Sequence, residues 1–163
     1  MSNFERDEVP RTTAAPCLVI GWGCDLRGDD AAGRRVAGTV AAWARPGVDV
    51  LLLHQLTPEV ADVMAVARRV VFVDAFAAKG AAAVRLARVR PAGEGRGPTL
   101  GHHGAPDALL QMTIDLYGAA PETWQVGVPA YDFERVGTMS PEGAEHLDAA
   151  VATVRDLIDR PLS

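Results

Sequence analysis

The residues of this chain that could do chemistry are few and widely separated. Asp29 and Asp30 stand together in "GWGCDLRGDDAAG" (Gly21–Gly33), behind two glycines that flank Trp22. Asp74 comes at the end of the apolar run "RVVFVDA" (Arg69–Ala75), and His102 and His103 sit side by side in "PAGEGRGPTLGHHGAP" (Pro91–Pro106). Two carboxylates and an imidazole, completed by water, suit a divalent transition metal such as Zn²⁺ or Ni²⁺. Their spacing matches no local metal motif, so the site depends on the fold bringing Asp30, Asp74 and a histidine to one place. Each residue also has a plainer reading. Aspartate at a helix start caps free N–H groups, a contribution of roughly 0.5–2 kcal/mol. A carboxylate at a strand end can simply be solvated, and loop histidines are commonly idle. Two adjacent aspartates repel, however, and one cap suffices, which leaves one of the pair for another task.

Other chemistries fit less well. Gly21-Trp22-Gly23 after an apolar strand suggests a dinucleotide loop, but the third glycine of that fingerprint is missing. Carboxylates at the following helix start would repel a pyrophosphate from the place where it normally binds. A phosphate-loop lysine is absent as well, so no nucleotide is expected. No G-x-S-x-G elbow occurs. Cys24 lies near a helix N-terminus, which lowers a thiol pKa, while the neighbouring aspartates raise it; its plainer role is a small turn residue. Trp22 and Trp43 read as packing residues.

These residues must be positioned by the elements around them. "PCLVIGWG" (Pro16–Gly23) is a continuous apolar run, as in a strand buried on both faces. Ala32, Val36, Val40 and Trp43 recur at helical spacing until Pro46-Gly47. "VDVLLLHQL" (Val48–Leu56) predicts a second strand, with His54 and Gln55 at its end. "TPEVADVMAVA" opens a helix with Thr57 as its cap and Pro58 at its first position. Arg69–Ala75 is a third strand that ends at Asp74. "AAVRLARVR" (Ala82–Arg90) alternates apolar and basic residues, the pattern of an edge or half-exposed strand. After the Gly/Pro-rich loop comes a helix with Leu109, Leu110, Thr113, Ile114 and Tyr117 inward and Gly118 at its end. "TWQVGVP" (Thr123–Pro129) is the last strand. "SPEGAEHLDAAVATVRDLIDR" predicts one final helix with Leu147, Val151, Val154 and Ile158 as its stripe. The alternation predicts an α/β fold: a three-layer α/β/α sandwich around a mostly parallel twisted sheet of about five strands. Ligands of such sheets bind beyond the carboxyl ends of the strands. That rim is where Asp30, His54, Gln55 and Asp74 fall, and the histidine loop could fold over it.

The totals agree with one soluble domain. The chain has 163 residues, 48% of them hydrophobic, enough for a core without staples. A tail is expected over residues 1–14, flexible and polar, and a single domain over 15–163. The formal net charge of −5 argues against a nucleic-acid binder. Arginine outnumbers lysine, with Lys79 the only lysine, yet no arginine cluster forms one face. Cys17 and Cys24 both lie in or just after the first strand, which suits a reducing compartment rather than a disulfide framework. The N-terminus lacks the apolar core of a signal peptide, and no apolar run approaches the ~20 residues that span a membrane. A cytoplasmic protein is expected, with no nucleic-acid or membrane partner.

Three segments, "LVIGWGCDLRGDDAAG", "HQLTPEVADVMAVARRVVFVDA" and "GHHGAPDALLQMTIDLYG", resemble in order the motifs of the hydrogenase maturation proteases. These endopeptidases trim the C-terminus of the [NiFe]-hydrogenase large-subunit precursor. The likeness runs from about Leu18 to Tyr117 and continues more loosely through "GVPAYDFERVGTMSPEGAEHL". It implies an α/β/α fold and three metal-binding residues, which fall on Asp30, Asp74 and a loop histidine. The family's histidine precedes the loop proline by four residues, which selects His102, with His103 as the alternative. The resemblance implies that this site senses nickel carried by the precursor close to the scissile bond. The divalent metal would then come with the substrate, and the expected partner is the hydrogenase large-subunit precursor, met by a monomeric protease. Gly21, Gly23 and Gly28 are expected to let the backbone pass close to the peptide, with His54 and Gln55 as candidate substrate contacts. Asp29 is the expected helix cap. The chain departs from the family pattern at Cys24, where Asn is usual, at Asp25, and at Ala31, where glycine is usual.

Overall fold

The computed structural model of the protein describes residues 16–93 and 105–163. The expected N-terminal tail, His102 and His103 therefore lie outside the described residues. Strand β1 (Cys17–Trp22) leads through a 3₁₀ turn (Gly28–Ala31) into helix α1 (Ala32–Ala42), followed by β2 (Val48–Leu53), α2 (Val60–Met64) and β3 (Arg69–Ala77). Then come β4 (Arg85–Arg88), α3 (Pro106–Tyr117), β5 (Glu122–Ala130), α4 (Pro141–Ala144) and α5 (Leu147–Asp159). The five strands form one sheet in the order β2-β1-β3-β5-β4. All neighbours are parallel except β4, which runs antiparallel to β5 along one edge.

Side-chain alternation sorts the core into two layers. Val19 of β1, Val71 and Val73 of β3, and Val126 and Val128 of β5 pack against Val36 and Val40 of α1 and Val154 and Leu157 of α5. Leu18, Ile20, Val70 and Phe72 point the other way, onto Val60 and Met64 of α2 and Leu109 and Leu110 of α3. Helices thus cover both faces, which is why β1 reads as an uninterrupted apolar run. Gly21 and Gly33 fix the spacing of α1 on the sheet. A Cβ at Gly21 would meet the Gly33 carbonyl oxygen at 2.2 Å, and one at Gly33 would meet the Val73 oxygen at 2.4 Å.

The amino end of the sheet is closed by charge. The Arg69 guanidinium, almost fully buried, donates to both carboxylate oxygens of Glu122, at 3.1 and 3.0 Å. It also donates to the Leu157 and Pro161 carbonyls at 2.6 and 2.9 Å, tying down the end of α5. These bonds hold Glu122 at about 2, below its usual 4.5: burial works against ionisation, but the Arg69 and Trp124 donors outweigh it.

Several boundaries differ from the sequence reading. β2 stops at Leu53, leaving His54 and Gln55 exposed beyond it. The Thr57 start forms a turn through Val60 N–H to the Thr57 carbonyl, and the regular helix follows only at Val60. Tyr117 is 49% exposed rather than inward. Met64, at the end of α2, lies against Thr113 of α3, one helical turn before Tyr117. The expected single C-terminal helix is two, because the hydrogen-bond ladder shortens where His146 N–H reaches the Gly143 carbonyl. Among the described residues no helix is long and apolar enough to cross a membrane.

Candidate functional site

The chain leaves β1 for β2 on one side and crosses over to β3 on the other. The strand order therefore reverses between β1 and β3, and a crevice opens there at the carboxyl ends, where open α/β sheets bind ligands. The pairing of β1 with β3 ends at Gly21 and Val73. Asp74 is the next residue of β3. On its other side β3 stays paired with β5, Asp74 opposite Gly127, as far as Ala77. Asp74 is thus not at the end of its strand; it stands where β1 has turned away.

The segment that turns away carries Asp30. Gly23 adopts φ +140°, and a Cβ there would fall 1.9 Å from the Asp30 carbonyl oxygen, so glycine lets the loop fold back on itself. The Cys24 N–H donates to Asp30 Oδ2 at 2.8 Å. This donor belongs to the main chain, so the bond does not depend on the Cys24 side chain. Asp30 and Asp74 are both half-buried. Asp74 is pushed up to about 7 from an ordinary 3.8, mainly by burial, with the Asp30 charge adding to the rise and a hydrogen bond from the Ala75 N–H opposing it. Two carboxylates crowded in this way are stabilised by a proton or by a cation, and their all-oxygen donor set suits a divalent metal once an imidazole joins it. Among the described residues no group of three or more His, Cys, Asp or Glu is assembled to hold a metal ion. The two carboxylates are the described part of the expected set, and its histidine falls outside the described residues.

Asp29 corrects the sequence reading. It caps neither the 3₁₀ turn nor α1. Its fully buried carboxylate turns to the far end of the chain. Oδ1 accepts the Ser140 N–H at 2.6 Å; Oδ2 accepts the Tyr131 N–H at 2.7 Å, the Asp132 N–H at 3.1 Å and the Ser140 hydroxyl at 2.7 Å. Burial would raise its pKa, but these donors together hold it below the usual 3.8. Ser140 in turn accepts from Gly143 N–H and caps α4. Asp29 therefore fastens the turn that carries Asp30 to the segment after β5. Nothing local to residue 29 announces this, because the donors lie 102–111 residues away.

The glycines serve the same assembly. The Cβ direction of Gly21 is filled by α1, that of Gly23 by the Asp30 main chain, and that of Gly28, at φ +55°, by the Asp132 carbonyl oxygen 2.3 Å away. Their close approaches are to the protein's own backbone. His54 and Gln55 are exposed at the rim beside β1. His54 Nδ1 lies 2.9 Å from the Arg34 guanidinium, which also pairs with Asp25 at 3.5 Å. Among the described residues neither His54 nor Gln55 bonds to Asp30 or Asp74. Cys17 is buried in β1, and burial pushes its thiol up to about 11, an inert packing residue.

Solved structures reproduce this architecture. A hydrogenase 2 maturation peptidase from a Thaumarchaeota archaeon superposes with a TM-score of 0.62 at 22% identity, over 88% of this chain and 97% of its own. The hydrogenase maturating endopeptidase HybD from E. coli gives 0.64 at 21%, over 87% and 91%. The [NiFe] hydrogenase maturation protease HycI from Thermococcus kodakarensis gives 0.64 at 20%, over 90% and 94%. This chain has the hydrogenase maturation peptidase fold. The likeness spans nearly the whole of both chains. No protein-family model and no curated protein sequence matches the chain. At such identities the fold is what is shared, and the site must be argued from its own residues.

Proposed function

We propose that this protein is an endopeptidase that removes the C-terminal extension of a nickel-loaded [NiFe]-hydrogenase large-subunit precursor. The observation that carries the reading is the convergence of Asp30 and Asp74, from two different elements, at the switch point of a sheet whose fold is that of maturation peptidases. In this reading Asp30, Asp74 and His102, or His103 in its place, hold the nickel that arrives with the substrate. Nickel bound beside a peptide supplies Lewis acidity toward the carbonyl or toward a water molecule. The chain's own residues do the rest. Asp30 is pre-positioned by the Cys24 N–H, and Asp74 gives up the proton that burial lets it keep near neutral pH. The protein acts as a monomer in the cytoplasm, where its two unpaired cysteines stay reduced.

The test is incubation with a nickel-loaded precursor, read by mass spectrometry of the large subunit. Loss of the C-terminal extension is the expected outcome. If the extension stays on while a HybD-type peptidase removes it from the same sample, the protein is a binding module that grips a metal centre or a partner's tail without cutting it.

A further inference from the structure

Asp74, Gly127 and Arg85 lie in one lateral row across β3, β5 and β4. Residues paired in this way point to the same face of a sheet, here the face covered lower down by α2 and α3. Gly127 contributes no side chain, and the Phe76 ring lies against it: a Cβ at Gly127 would stand 3.0 Å from Phe76 Cδ1 and 3.5 Å from Arg85 Cβ. The Arg85 guanidinium rests on that ring, 3.8 Å from its centroid. Arg85 is exposed and forms no ion pair among the described residues. Arg88 differs in each respect. It points to the opposite face beside Trp124, and its charge is engaged by Glu122 at 3.5 Å.

A guanidinium held over an aromatic face can still present N–H donors in the fork that matches a carboxylate. Its position is set before any ligand arrives, which lowers the ordering cost of binding. Arginine on an edge strand also guards against edge-to-edge pairing, but that role needs only a solvated charge and not a ring to hold it. We propose that Arg85, seated on Phe76, is a carboxylate-binding subsite of the candidate site. The Arg85 and Asp74 main chains are two strand spacings apart, about 10 Å, and the guanidinium leans back from there over Phe76, two residues beyond Asp74 on β3, a span that an extended peptide covers in about two or three residues. Resting on the peptidase reading above, this makes the preferred substrate one with a carboxylate about two or three residues from the bond held at Asp30 and Asp74. The carboxylate is an acidic side chain or the free end of a short tail.

The test uses fluorescein-labelled twelve-residue peptides spanning the processing junction of the [NiFe]-hydrogenase large subunit from the same genome. Each is made with its acidic side chains as they stand, with each in turn neutralised to its amide, and with an amidated C-terminus. Binding is followed by anisotropy with the full chain and with Arg85→Ala, Arg85→Lys and Arg88→Ala, each checked by circular dichroism. Arg85→Ala should weaken binding at least tenfold, Arg85→Lys should restore part of it, and Arg88→Ala should leave it unchanged. The loss should vanish for the one peptide whose neutralised group is the partner, which tells side chain from terminus. Equal affinity in Arg85→Ala, an equal loss for charged and neutral peptides, or no binding by the unmodified protein overturns the proposal. Tail removal from the precursor, measured in parallel, separates the two readings. An uncut tail with Arg85-dependent binding rejects the peptidase alone, and a cut tail with Arg85-independent binding rejects the subsite alone.

Discussion

Replacing Asp29 by Asn should cost this domain about 3–5 kcal/mol, although the two side chains are nearly the same size. The carboxylate is fully buried and accepts four hydrogen bonds, one on Oδ1 and three on Oδ2. An amide can keep an acceptor on only one side. Turned to keep the three, it sets its NH₂ against the Ser140 N–H, which lies 2.6 Å from Oδ1. Losing that charge-assisted bond costs about 1.5–3 kcal/mol, and leaving the buried donor unsatisfied adds about 1–3 kcal/mol. The three retained bonds also lose their ionic character. The sum is a large share of the 5–15 kcal/mol typical of a whole domain. The assay is urea unfolding followed by tryptophan fluorescence at neutral pH, with hydrogen exchange at the Tyr131, Asp132, Ser140 and Gly143 amides. Those amides should lose protection before the strands do. The pH dependence has a definite sign. The Asp29 pKa is lowered on folding, so its stabilisation is fully present above the ordinary carboxylate range and is lost as pH falls through the lowered value. The gap between the two proteins should narrow in acid. A variant within about 0.5 kcal/mol of the parent at neutral pH, or protection lost evenly across the molecule, would refute the reasoning.

Asp74 works in the opposite direction: its pKa rises to about 7 on folding, so the native state binds the extra proton and this residue erodes stability as pH climbs from about 4 to 7. Without metal, Asp74→Asn should therefore unfold at higher urea than the parent above neutral pH, by up to about 4 kcal/mol, and the advantage should vanish below pH 4. Titration with Ni²⁺ or Cd²⁺, followed by calorimetry, should show binding weakened at least tenfold by each of Asp30→Asn, Asp74→Asn and His102→Ala. Unchanged affinity in all three removes the site, and weakening by His103→Ala in place of His102→Ala reassigns the histidine. Glu122→Gln should lower stability by about 3–5 kcal/mol because it leaves the buried Arg69 charge unmatched; a melting temperature equal to the parent's would show the pair to be dispensable.

Element identity was legible because it is a local property. Continuous apolar runs marked β1 and β3, helical spacing marked α1, and the interspersed arginines of Ala82–Arg90 marked an edge strand, which pairs antiparallel. Boundaries were less legible where a neighbour decides them. β3 continues three residues past Asp74 because β5 still pairs with it, although its pairing with β1 has already ended at Val73. Tyr117 keeps the helical period of Leu109 and Thr113, yet it is exposed where they are buried, which the period by itself does not decide. For the candidate site, the types of Asp30 and Asp74 announced an acidic rim, whereas the Arg85–Phe76 platform carried no sequence signal, since it exists only through strand pairing and the missing side chain of Gly127.

The chain order of strands and helices, and the presence of two carboxylates just beyond strand cores, can be read from the residues because period, caps and composition act over a few positions. Which strands are neighbours, and hence that the order reverses between β1 and β3 to bring Asp30 beside Asp74, is settled only when the sheet closes. The same holds for Asp29. Its local position suggests a cap, but the donors that compete for its charge come from Tyr131, Asp132 and Ser140, and a buried charge goes to the arrangement that satisfies it most fully.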